Sequence, residues 1–168
     1  MLVDARDRKL GTADRLAVHR DGRLHRAVSV FIVNGEQEML LQRRSRAKEV
    51  APGLWSNACC THPRPGERAS SAAKRRLYEE LRLKCALKRS FAFTYRAEFG
   101  NGWIEHEFDH VFVGRSDKVP TLLSSEADDW CWMSVSDLRR DLVRRPWRYS
   151  PWLKIALPKV LRRLKRAA

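Results

Sequence analysis

The stretch from Asn57 to Leu83, NACCTHPRPGERASSAAKRRLYEELRL, leaves this chain few folds to choose from. A short apolar run reaches a Cys-Cys-Thr-His corner, crosses a loop holding Pro63, Pro65 and Gly66, and enters a segment of helical composition. Proline removes a backbone donor and glycine frees the backbone, so the extended run ends at the corner. Ser70 and Ser71 precede Ala72 to Leu83, which contains no Pro or Gly and is rich in Ala, Arg, Leu and Glu. These are good helix formers, and a helix is predicted over 72–83. On it Arg76 and Glu80 stand four apart and share a face, and Arg75 and Glu79 share the next. Taken alone, that spacing describes a solvated helix laced with ion pairs.

The stretch also resembles the Nudix box, G-x5-E-x7-R-E-U-x-E-E-x-G-U, where U is aliphatic. Glu67, Arg75, Leu77, Glu79, Glu80 and Leu83 match, Thr61 and Arg82 replace the two glycines, and Arg76 replaces the Glu after the Arg. In Nudix hydrolases the carboxylates of this helix hold divalent cations that activate water on a diphosphate. An Arg at 76 reverses one of those charges and favours direct contact with phosphate oxygens over a multi-metal cluster. The resemblance therefore implies diphosphate binding and argues against hydrolysis. The corner narrows it further, because NACCTHP is similar to the N-x-x-C-x-H-P segment of type 1 isopentenyl-diphosphate isomerases, which use the Nudix fold to move a double bond. This resemblance implies an α/β (α+β) Nudix fold, a mixed β-sheet sandwiched between helices, in a single domain over 1–168.

Composition agrees with a globular chain: 168 residues with 43% hydrophobic content can bury a core. No apolar run approaches the ~18 residues of a membrane span, and MLVDARDRKLG lacks the apolar centre of a signal peptide. The reading is a cytoplasmic protein. Cys59 and Cys60 are adjacent, which suits a structural disulfide poorly. The absence of any CxxC pair argues against a zinc ribbon. The net charge of +14 points to an anionic partner, but residues 133–168 hold 11 Lys/Arg and 2 Asp/Glu. That concentration reads first as the solvated face of a basic helix at about 152–166, so no nucleic-acid partner is expected.

Other elements follow in order. His19 and His25 flank an Asp-Gly turn, a spacing that begins to look like metal ligation. Arg26 to Val33 is a buried strand, Asn34-Gly35 a turn, and Glu38 to Arg43 the returning strand of a hairpin. Arg89 to Phe99 alternates as a strand with Phe91, Phe93 and Tyr95 on one face, and Trp103 to Gly114 is the next strand. Period 2 puts Glu105 and Glu107 on one face of that strand. Two acids so placed repel unless something positive lies beside them, and a metal is the natural resolution. Glu126 to Val135 contains a strand, and Ser136 caps a helix over 137–145 that Pro146 ends. Strand alternation places Cys59 and Cys60 on opposite faces, with Cys59 the small buried hydrophobe.

The isomerase resemblance implies roles for these residues. Cys60, Glu107, Tyr95 and Trp152 would form the catalytic set. Arg15, Arg44, Lys48 and Arg76 would grip the diphosphate. His19, His25, His62, Glu105 and Glu107 would hold one divalent metal, Mn²⁺, Mg²⁺ or Zn²⁺. Glu80 and the Cys60 backbone carbonyl would hold Mg²⁺ with the substrate diphosphate. The implied partner is a small isoprenoid diphosphate, with no transmembrane segment, and the oligomeric state, monomer or dimer, stays open. Two other readings compete: a Nudix hydrolase of a nucleoside or sugar diphosphate, and a nucleic-acid-binding module that uses the basic tail. The second leaves Cys60 and the His/Glu set without a task.

Overall fold

The computed structural model describes residues 1–123 and 125–166. Its elements are β1 (Leu2–Val3), β2 (Lys9–Gly11), α1 (Arg15–Asp21), β3 (His25–Val33), β4 (Glu38–Arg44), β5 (Trp55–Asn57), β6 (Cys59–Thr61), α2 (Ala69–Leu81), β7 (Leu87–Glu98), β8 (Ile104–Arg115), β9 (Ala127–Ser134), α3 (Val135–Arg144), a short 3-10 turn (Pro146–Arg148) and α4 (Pro151–Arg166).

β3 organises the sheet. Every residue in it except Arg26 is buried, the pattern of a strand covered on both faces. β8 runs parallel to it along its whole length. Its other pairings are antiparallel and short: β1 at His25, β6 at Val28 to Val30 and β4 at Val33. β7 extends the sheet beyond β8, while β9 and β5 both pair with β4.

Alternation along the strands sorts side chains between two cores. Val28, Val30, Ile32, Leu40, Cys59 and Phe112 pack under Ala72, Ala73, Leu77 and Leu81 of α2. Phe31, Val33, Met39, Leu41, Phe93, Tyr95 and Val111 pack on the other face, under Leu138 of α3 and Trp152, Leu153, Ala156, Leu157 and Val160 of α4. The sheet is mixed and lies between helices, as the resemblance implied.

Several boundaries differ from the sequence reading, each for a local reason. α2 begins at Ala69 rather than Ala72, because Arg68 already has the extended backbone of an N-cap. It stops at Leu81, because Arg82 turns left-handed at φ 55°. The cap of α3 is Ser134 and not Ser136: Ser134 Oγ accepts from Asp137 N at 3.1 Å, so the helix starts at Val135. The β3–β4 turn is wider than an Asn-Gly hairpin. Gln37 takes the left-handed conformation, and Asn34 Oδ1 accepts from Glu38 N at 2.8 Å. The two strands pair only at Val33–Met39, then part as β6 pairs with β3 and β5 and β9 with β4. Among the described residues no helix is long and apolar enough to cross a membrane.

Candidate active site

The odd-numbered residues of β3 and β8 face the α4 side, and strand register gathers the polar ones among them. Glu107 lies opposite Tyr95 on β7 and opposite His25 on β3. Tyr95 Oη donates to Glu107 Oε2 at 2.7 Å, and Glu107 Oε1 lies 2.9 Å from His62 Nε2. His62 follows β6 directly. His19 arrives from α1, whose first turn is fixed by Asp14 Oδ1, accepting from Leu16 N at 2.9 Å and Ala17 N at 3.0 Å. Gly22 closes that helix at φ 63°, a conformation glycine adopts without strain.

His19, His25, His62, Glu105 and Glu107 each offer a ligand atom, and these atoms all lie within 4.8 Å of one another. His19 Nδ1 is 2.6 Å from the Arg15 carbonyl and His25 Nδ1 is 2.8 Å from the Arg23 carbonyl. A ring nitrogen beside a carbonyl must carry the proton, so both histidines turn an Nε2 lone pair into the cluster. Burial holds His25 at about 3, helped by the neighbouring His62, and burial holds His62 at about 3. Both are therefore neutral at pH 7. Glu105 Oε2 is buried without a well-directed hydrogen bond, 3.2 Å from His19 Nε2. Burial and the charge of Glu105 push the Glu107 carboxyl well above its ordinary value. Lone pairs facing inward, an orphaned carboxylate oxygen and two acids in contact fit a divalent cation.

Cys60 and Cys59 diverge as alternation requires. Cys59 is fully buried under α2, whereas Cys60 reaches the other face. Cys60 Sγ lies 3.3 Å from Asn57 Nδ2 and 3.5 Å from Ser29 Oγ. Ser29 Oγ in turn donates to the buried Asp109 Oδ2 at 2.7 Å. Burial, reinforced by Asp109, pushes the Cys60 thiol up to about 12, so it is protonated at pH 7.

These groups open onto a cavity of about 400 Å³. All the residues proposed from the sequence line it except His25, which completes the cluster from behind. Trp152 forms an apolar wall, its Nε1 donating to Ser56 Oγ at 2.8 Å. The Arg44 guanidinium lies 5.2 Å from the Trp152 ring and donates to the carbonyls of Val50 and Ala51. Arg15 pairs with Glu49 at 3.2 Å. Glu80, buried on α2, accepts from Gln42 Nε2 at 2.9 Å and pairs with Arg76.

Sequence reasoning missed four contributors. Glu126 pairs with Lys48 at 2.8 Å and with Arg76, so one carboxylate spans two of the cavity's cations. It lies just before β9 and follows no periodic pattern, so nothing in the sequence marks it. Ser29 and Asp109 sit in strands that read simply as buried. Asn57 did carry a signal, as the first residue of the corner motif, and its amide braces the corner by donating to Val30 O and Cys59 O.

Comparison with known proteins gives the family and the fold. Residues 23–153 match the NUDIX domain family. The chain is 49% identical over 161 residues to "Isopentenyl-diphosphate Delta-isomerase 2" of Aromatoleum aromaticum, covering 96% of this chain and 85% of that protein. It is 40% identical over 160 residues to the isopentenyl-diphosphate Delta-isomerase of Pectobacterium atrosepticum, covering 95% and 89%. Among solved structures, a Deinococcus radiodurans protein superposes with a TM-score of 0.72 at 23% identity, over 86% of this chain and 88% of that one. A MutT NUDIX hydrolase from Burkholderia pseudomallei gives 0.66 at 19% identity, over 82% and 98%. At those identities the superpositions speak to the fold alone, and the sequence relatives speak to the branch: the chain is a NUDIX-domain protein and belongs to the isopentenyl-diphosphate Delta-isomerase family.

Proposed function

We propose that this chain interconverts isopentenyl and dimethylallyl diphosphate within the 400 Å³ cavity. The observation that carries the reading is the meeting, in one cavity, of a Tyr95-bonded Glu107 and Cys60 with six cationic side chains and an indole wall. An alkene is a very poor base, so its protonation needs a positioned acid and a site that keeps water from the cation formed. A proton added to the terminal methylene gives a tertiary carbocation. A proton lost from the carbon next to the diphosphate-bearing one completes the shift. Cys60 and Glu107 form the acid–base pair, with Tyr95 orienting Glu107. Trp152 faces the cation, an attraction worth ~2 kcal/mol or more once desolvated.

Arg15, Arg44, Lys48 and Arg76 grip the diphosphate. The His/Glu cluster would hold one divalent ion, Mn²⁺, Mg²⁺ or Zn²⁺, and Glu80 with the Cys60 carbonyl would hold Mg²⁺ beside the diphosphate. Bound there, these ions supply positive charge that favours the ionised carboxylate and neutralises phosphate oxygens. The reading also includes a cytoplasmic setting and a single domain spanning 1–168.

The deciding experiment incubates the purified protein with isopentenyl diphosphate and Mg²⁺ and measures acid-labile allylic diphosphate and free phosphate together. Allylic product without phosphate is the expected result. Phosphate without allylic product would return the chain to the hydrolases and overturn the role given to Arg76.

A further inference from the structure

A second concavity, of about 660 Å³, lies between α3, α4 and the end of β3, and shares no lining residue with the catalytic cavity. Its floor is hydrocarbon, with Leu157 fully buried and Leu142, Leu161 and Leu164 half-buried along it. Leu157, Leu161 and Leu164 follow helical spacing, and they form the outer edge of the apolar face that α4 packs on the core. The rim is cationic: Arg139 on α3, and Lys154, Arg162 and Lys165 on α4, all exposed. Among the described residues no acidic side chain lines the groove. Elsewhere on α3 and the turn after it, Arg140 pairs with Asp137 and both Arg145 and Arg148 pair with Asp141, while Arg144 makes no ion pair among the described residues. Four cations that make no ion pair among the described residues thus rim an apolar trough, although Arg144, Lys159, Arg163 and Arg166 carry further charge away from it.

We propose that this groove binds a free single-chain amphiphile, a hydrocarbon chain longer than the substrate's that ends in a phosphate or diphosphate. The chain would lie on the leucines and the head would meet the rim. Gln37 is the one neutral polar side chain lining the groove among the described residues, so an extended peptide laid there would leave most of its backbone N–H groups unpaired, whereas a hydrocarbon has none to pair. A second copy of the chain is opposed by charge, since each copy carries +14. A nucleic acid would use the rim and leave the leucines idle. A bilayer surface would need most of the apolar side chains to stand above the cations; Val143 and Pro158 are exposed, but the leucines that make the floor are half-buried or buried.

The test titrates n-dodecyl phosphate, as monomer, into the full chain by calorimetry. n-Dodecyl maltoside provides the same chain with a neutral head, and vesicles of anionic phospholipid form a separate arm. The double variant Arg139→Glu/Arg162→Glu reverses two exposed rim charges outside the catalytic machinery, so isomerase turnover checks its fold. Leu161→Asp places a charge on the floor. The expected result is one dodecyl phosphate per chain, uncompeted by isopentenyl diphosphate, with affinity about tenfold or more weaker for either variant and for the maltoside. Absence of binding, unchanged affinity in both variants, full competition by isopentenyl diphosphate, or binding to vesicles alone would overturn the proposal.

Discussion

Cys59 and Cys60 show how much one residue of register decides. Both are cysteines on the same short strand, yet one is sealed under α2 and the other lines the cavity. Cys60→Ala is expected to lower turnover by about 10²-fold or more with the fold retained, because it removes one half of the proposed acid–base pair. Cys59→Ala should leave turnover nearly unchanged. Allylic product formation and circular dichroism on both variants check this, and the opposite pattern would exchange their roles. The paired acids of β8 were legible for the same reason that the cysteines were: period 2 is local. Glu126 was not, because its partners Lys48 and Arg76 lie 78 and 50 residues away in the chain and only the fold brings them to it. Its carboxylate occupies cations that the proposed function assigns to the diphosphate. Glu126→Gln is therefore expected to lower the half-saturating concentration of isopentenyl diphosphate several-fold at low salt. A rise would instead place Glu126 among the groups the bound substrate needs.

At the scale of the element, α2 was readable as a helix from composition, and its resemblance to the Nudix box implied contact with a diphosphate, but its ends were not legible. Propensity favours the helix interior and says little about where a backbone turns left-handed. Arg82 stands where the Nudix box has glycine, and the structure shows why glycine belongs there: φ is 55° and the Arg82 N–H closes the helix on Tyr78 O. A side chain in that conformation costs ~1–2 kcal/mol, more than glycine's own entropic penalty. The Arg82 guanidinium recovers part of the cost by lying 5.2 Å from the Tyr78 ring. Arg82→Gly should consequently stabilise the protein by about 0.5 kcal/mol, read as a higher urea midpoint at unchanged slope. A lower midpoint would mean that the contact with Tyr78 outweighs the backbone strain. α3 teaches the same lesson, since two serines two residues apart could each cap it and only the fold selects Ser134.

Across the whole molecule, the sheet divides its work between two faces. The α2 side of the sheet packs mainly apolar residues, while the α4 side carries Glu105, Glu107, Asp109, His25 and Ser29 in its interior. That arrangement stores repulsion. In the absence of a cation, Glu107 is buried beside Glu105 and is pushed toward its protonated form, by burial first and by its neighbour second. Each unit of such a shift is worth ~1.4 kcal/mol against the ionised carboxylate. Glu107→Gln keeps an oxygen to accept from Tyr95 and removes the charge, so it should make the metal-free protein more stable by about 1–2 kcal/mol at neutral pH. The same change should remove most of the stabilisation that Mn²⁺ gives the unaltered protein, about 2.7 kcal/mol at a hundredfold excess over the dissociation constant. Urea unfolding of both proteins, with chelator and with MnCl₂, reads the two effects separately. A variant less stable than its parent under chelator would show that no repulsion is stored there. An equal Mn²⁺ increment in both would remove Glu107 from the ligand set. The expected outcome, a gain in metal-free stability coupled to a loss of metal response and of turnover, is what a site strained for chemistry predicts.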